Sequence, residues 1–208
     1  MTTTKLYPGA GVQRVPETGP NKIPTRIGNQ GVATTGQDSG VDSEDVAQEV
    51  LRRLVVLGAG LASVHRLASE AYVSINDYES ALEHQEAAVR FEPEDLEYRN
   101  QLGFLRYVCG DDGAAEDFQF VIDHDPENAE AYFNLAMIYF GQGRYYDAEQ
   151  LFLKASENNP NDAETWNNMG VARFHQGRLA DARASFEEAL RVDPGNEDSL
   201  QNLRDLQG

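Results

Sequence analysis

From Ser43 onward, apolar residues return every three or four positions. Val46, Val50, Leu54 and Leu57 make one such face, a period that fits one side of an α-helix and not a strand. Ser43 can cap the start, and Glu44 and Asp45 fall in the first turn, where the helix dipole favours acids. Gly58-Ala59-Gly60 breaks the run. Beyond it the chain reads as helices of roughly 12–15 residues joined by short turns, with no stretch of alternating β-branched residues, which predicts an all-α fold. Residues 1–40 differ: they hold four of the eight prolines and only scattered large apolar side chains. Such a segment buries too little surface to offset its chain entropy. A disordered tail is expected over 1–42, followed by a packing helix over 43–60.

A fixed interval organises the rest. Pro126, Pro160 and Pro194 stand 34 residues apart, as do Gly143 and Gly177. Ala148-x3-Phe152-x2-Ala155 returns as Ala182-x3-Phe186-x2-Ala189, and Tyr132-x2-Leu135-Ala136-x2-Tyr139 as Trp166-x2-Met169-Gly170-x2-Arg173. An earlier copy runs Arg99-x2-Leu102-Gly103-x2-Arg106, then Ala114-x3-Phe118, ending at Pro126. It is one residue short, in the turn Gly110-Asp111-Asp112-Gly113. A weaker first copy, His65-x2-Ala68-Ser69-x2-Tyr72 and Ala81-x3-Gln85, ends at Pro93, with Asn76 where later copies have Gly.

On these residues the chain resembles the tetratricopeptide repeat (TPR) family, whose unit is a helix-turn-helix of 34 residues. The resemblance implies an all-α superhelical solenoid: a degenerate repeat over 61–94, a 33-residue repeat over 95–127, full repeats over 128–161 and 162–195, and a capping helix over 196–208. Small residues at 69, 103, 136 and 170 let paired helices approach. Aromatics at 118, 152 and 186 fill the gap to a neighbour, and the prolines stop the second helix. Arg106 and Arg173 depart from the pattern, standing where the family usually has Tyr.

Repeat arrays of this kind bind partners along the first helices of their pairs. The positions that would line that face are Arg66; Asn100, Gln101, Phe104 and Tyr107; Phe133, Asn134, Met137 and Phe140; and Asn167, Asn168, Val171 and Phe174. Asn134, Asn168 and Asn202 recur at the repeat interval, with Gln101 one repeat earlier. An Asn amide both donates and accepts, so a row of them could grip an extended peptide backbone. Glu97, Glu130, Glu164 and Asp198 form an acidic row in the first turns, which the helix dipole alone explains and which would also favour basic ligands. Some family members clamp acidic chaperone tails with groove cations. The matching positions here, Arg66, Glu70, Gln101, Glu130 and Asn134 in one register, do not offer the necessary set of cations.

Charge narrows the partners. Thirty-five acids against 17 Lys and Arg give a net charge of −18, which repels phosphate backbones and argues against nucleic acid. Residues 1–40 contribute +2, from four cations and two acids, so the remainder carries −20. The longest mostly apolar stretch, Leu54 to Val64, is far short of a membrane span. One cysteine, Cys109, and histidines at no ligand spacing (His65, His84, His124, His175) point to no metal and no cofactor. The expectation is therefore a cytoplasmic, non-catalytic scaffold or adaptor that binds a protein or peptide segment of basic and apolar character. The alternative is a chaperone of the type III secretion kind, shielding an apolar substrate.

Overall fold

The structure is a computed structural model that describes residues 60–206. The expected tail, and the expected packing helix except for Gly60, lie outside the described residues. Among the described residues there are nine α-helices and no strand: α1 (Leu61–Ser74), α2 (Tyr78–Phe91), α3 (Leu96–Cys109), α4 (Ala114–His124), α5 (Ala129–Gly141), α6 (Tyr145–Asn158), α7 (Ala163–His175), α8 (Leu179–Val192) and α9 (Glu197–Asp205). The fold is an all-α helical repeat. The chain divides into two compact units, whose described parts are 60–121 and 122–206.

One device starts most of the helices. The side chains of Asp77, Asp95, Asn128, Asp162 and Asn196 accept from the backbone N–H of Ser80, Tyr98, Ala131, Thr165 and Ser199. Each pairs an amide that the helix itself leaves unsatisfied, worth about 1 kcal/mol. The turn within each pair passes through the left-handed region at Gly110, Gly143 and Gly177, and at Asn76 with φ of 62°. Asn is the side chain that adopts this conformation most readily, so the first repeat turns as the others do. α4 has 11 residues where α2, α6 and α8 have 14. The short repeat thus loses its residue at the turn and helix start, and Ala114 and Phe118 keep their places.

In the first unit, Ala81, Ala114 and Phe118 are at most 3 % exposed. A Cβ added at Gly103 would lie 2.9 Å from the Phe118 ring, so the ring packs directly on backbone. Gln85 occupies the Phe position of the degenerate repeat and is fully buried; its Nε2 donates to the Tyr98 carbonyl at 2.9 Å. Its Oε1 is buried without a partner, whereas the Ser69 hydroxyl donates to the Ala81 carbonyl. In the second unit, Ala136, Ala148, Phe152, Met169, Ala182 and Phe186 form one buried cluster. Gly170 brings the α7 backbone onto Phe186, where a Cβ would sit 2.5 Å from the ring. α9 packs on α8 and lays Leu203 and Leu206 against this core.

Candidate peptide-binding surface

In the second unit, α5 and α7 are the first helices of their pairs, and the expected contacts on them sort by depth. Phe133 is 3 % exposed and edge-on to Phe152. Phe140 is buried against Tyr145 and His175, also edge-on. Val171 belongs to the buried cluster too. Packing accounts for all three. Asn167 is buried as well, and its Oδ1 accepts from Ser199 Oγ and Asn202 Nδ2, each at 2.9 Å. Asn167 thereby ties α7 to α9, and Asn202, the last place in the asparagine row, is engaged with it.

Asn134, Asn168, Met137 and Phe174 are different. All four are half-buried, with Met137 and Phe174 resting on the core and Phe174 edge-on to His175. The amides of Asn134 and Asn168 pair with no described residue, so each presents a free donor and acceptor at the same register of successive repeats. Burial holds the His175 pKa below its usual value. Its ring stacks on Tyr145 with centroids 4.4 Å apart, which adds a neutral aromatic patch beside Phe174.

In the first unit, Asn100 is 9 % exposed and its Oδ1 has no partner. Phe104 packs beside Tyr72 and Leu105, and burial pushes the Tyr107 hydroxyl pKa up. Gln101 donates to Glu97 at 3.4 Å, and Arg66 pairs with Glu70. Arg66 is therefore not an unencumbered cation on that face.

Three features lay outside the sequence reading. His65 and His84 meet at 2.9 Å through their Nδ1 atoms, flanked by Phe91 and Tyr72. The two arginines at Tyr positions each engage a buried partner on the second helix of their own repeat: Arg106 bonds Asp117 at 2.7 Å, and Arg173 bonds Ser185 at 2.7 Å. Each also reaches back to the preceding second helix, Arg106 to Glu86 at 3.2 Å and Arg173 to Glu149 at 2.7 Å. The departure from Tyr was itself the signal, since an Arg in an aromatic slot requires an acid nearby. Finally, Arg99 Nε and Trp166 Nε1, one on α3 and one on α7, both donate to the carbonyl of the preceding repeat's proline, Pro93 and Pro160.

Comparison with known proteins agrees with this architecture. Tetratricopeptide repeat family models match residues 62–95 and 127–195. No curated protein matches the chain. Among solved structures, residues 41 to the end of MamA from Desulfovibrio magneticus RS-1 are 21% identical, with a TM-score of 0.66 over 72% of this chain and 85% of that one. A second MamA crystal structure is 19% identical, with a TM-score of 0.65, covering 74% and 90%. YrrB, described as a TPR protein with an unusual peptide-binding site, is 20% identical, with a TM-score of 0.65, covering 78% and 86%. With family models falling on both units and the paired helices repeating as the interval requires, residues 62–95 and 127–195 are tetratricopeptide repeats.

Proposed function

We propose that this protein is a non-catalytic scaffold or adaptor that holds an extended segment of a partner protein along the first helices of its repeats. The observation that carries this reading is the recurrence of two unpaired, half-buried amides, Asn134 and Asn168, at one register of α5 and α7. Each can bond a peptide C=O and N–H together, which grips backbone with little regard to sequence. Met137 and Phe174 supply the apolar contact beside them. Phe133, Phe140, Val171 and Asn167 support that surface from beneath, as Asn100 does in the first unit. There Gln101, Phe104, Tyr107 and Arg66 are the corresponding contacts. The peptide-binding site named for YrrB supports the same kind of role.

The net charge of −18 favours basic segments over acidic ones and disfavours nucleic acid. Among the described residues no helix is long and apolar enough to cross a membrane, in keeping with a cytoplasmic scaffold. The test is a peptide array probed with the full chain, followed by calorimetry on the tightest peptide. Asn134→Ala with Asn168→Ala should weaken that peptide by about tenfold or more, at roughly 1 kcal/mol for each hydrogen-bonding amide lost, with helicity unchanged. Equal affinity for wild type and variant removes the reading.

A further inference from the structure

The first unit carries a cavity that the chain's other repeats explain. Arg99 and Arg106 on α3 correspond to Tyr132 and Tyr139 on α5, and to Trp166 and Arg173 on α7. Glu86 on α2 corresponds to Leu153 on α6. Trp166 and Leu153 both pack against the second unit's core. Their counterparts Arg99 and Glu86 instead line an opening of about 360 Å³, together with Val89, Arg90, Pro93, Leu102 and Arg106.

Its electrostatics are unusual for so acidic a chain. Asp117, 2 % exposed, accepts from Arg99 Nη1 at 3.0 Å and from Arg106 Nη1 at 2.7 Å, and both arginines are about three-quarters buried. The lining itself then sets three guanidinium groups against one carboxylate, Glu86, which Arg106 meets at 3.2 Å. Arg106 Nε is buried with no hydrogen-bond partner. Arg90 approaches Glu86 only to 4.0 Å and is otherwise open. An anion in the opening would be met by this excess of positive charge.

We infer that the pocket between α2 and α3 binds a carboxylate borne on an apolar group. Guanidinium forks match the two oxygens of a carboxylate, and Val89, Pro93 and Leu102 offer the apolar stem a wall. The volume is near the lower end of ligand pockets, roughly 300–1,000 Å³, and suits one residue-sized group. Two sources carry this chemistry: the C-terminal residue of a peptide, and a small branched carboxylic acid. The site is independent of the asparagine row, and neither Arg99 nor Arg106 is among the peptide contacts proposed above.

The experiment is an amide-resolved NMR titration of the full chain with three probes: acetyl-Gly-Leu as free acid, the same dipeptide as its amide, and 4-methylpentanoate. A carboxylate probe should shift amides of residues 86–106 saturably, while the amide leaves them unmoved. The tighter of the two acids identifies the source. Arg90→Glu, at an exposed position, should weaken binding by about tenfold. Arg99→Trp copies Trp166, leaves Asp117 paired with Arg106, and should abolish binding with the thermal midpoint retained. The inference is overturned if neither acid shifts these residues, if the amide binds as well as the acid, or if Arg90→Glu and Arg99→Trp keep wild-type affinity. None of these outcomes bears on the peptide affinity that tests the asparagine row.

Discussion

Arg173 on α7 donates through Nε to Glu149 on α6 at 2.7 Å, joining the first helix of one repeat to the second helix of the repeat before it. Glu149 is almost wholly buried, with 4 % of its side chain exposed, and it also accepts from Arg178 and Gln176. The second-unit interface between repeats thus combines an apolar cluster with one dense ionic knot.

Removing the acid alone should therefore cost more than removing both partners. Glu149→Leu leaves the Arg173 charge poorly compensated, a change worth about 3–5 kcal/mol when a buried pair is broken. Adding Arg173→Tyr restores the residue found at the equivalent Tyr139 and should recover most of that loss. Urea denaturation of the two single variants and the double variant measures the coupling. Strictly additive costs would show that the two side chains do not act together.

The same knot makes stability depend on pH. Burial by itself would push the Glu149 carboxyl up, but hydrogen bonds from Arg173 and Gln176 and the charges of Arg173 and Arg178 outweigh it and hold it below the usual carboxylate range. A depressed folded value means that the contribution is complete above the unfolded pKa, about 4.3. It is lost as pH falls through the folded value. Glu149→Gln should flatten the acid limb of a stability–pH curve, and an unaltered limb would contradict this.

The histidine pair acts in a milder range. With Nδ1 atoms 2.9 Å apart, one ring must donate and the other accept, so the contact cannot hold with both rings protonated. Burial lowers both values, assisted by Arg90 at His65 and by His65 at His84. Below a pH of about 6.5 the unfolded chain takes up protons that the folded pair resists, so stability falls as pH falls. Replacing His84 by Phe keeps a ring against Tyr72 and should reduce the slope between about pH 7 and 5, with His65 and the half-buried His175 supplying part of what remains. An unchanged slope would move the effect elsewhere.

Two glycines should differ in their tolerance of one methyl group. At Gly170 an added Cβ meets Phe186 at 2.5 Å, whereas at Gly103 it meets Phe118 at 2.9 Å. Both rings are buried and cannot simply swing away. Overpacking of this kind costs about 1–3 kcal/mol, so Gly170→Ala should destabilise more than Gly103→Ala in thermal unfolding. The reverse order would show that the second unit relaxes more easily than its packing suggests.

How much of this was legible beforehand follows from what a repeat interval encodes. The interval fixes which residues recur, so the all-α class, the small residues beneath Phe118 and Phe186, and the left-handed turn at Asn76 could be read from spacing. It does not fix depth. Asn167 and Asn168 are adjacent on one helix and chemically identical, yet one is buried against Ser199 while the other is half-exposed. A face assigned by period alone is too wide to separate them. Contacts between unlike positions, such as Glu149 with Arg173 or His65 with His84, leave no periodic trace. Only the break in pattern at Arg106 and Arg173 hinted at them.

Asn167 itself yields the last prediction, because its geometry assigns it to α9 and not to a ligand. Ser199 is fully buried, and its hydroxyl donates to Asn167 Oδ1 at 2.9 Å; Asn202 donates to the same oxygen. Asn167→Leu removes the acceptor and strands a buried hydroxyl, at a cost of about 1–3 kcal/mol. α9 is short, with nine residues, and such a helix depends on its docking more than on its own propensity. Amide exchange should therefore accelerate across α9, while α5 and α6 keep their protection and a peptide bound at Asn134 and Asn168 keeps most of its affinity. If instead peptide affinity collapses while α9 exchanges as before, Asn167 contacts the ligand directly and the division by depth drawn along α7 is wrong.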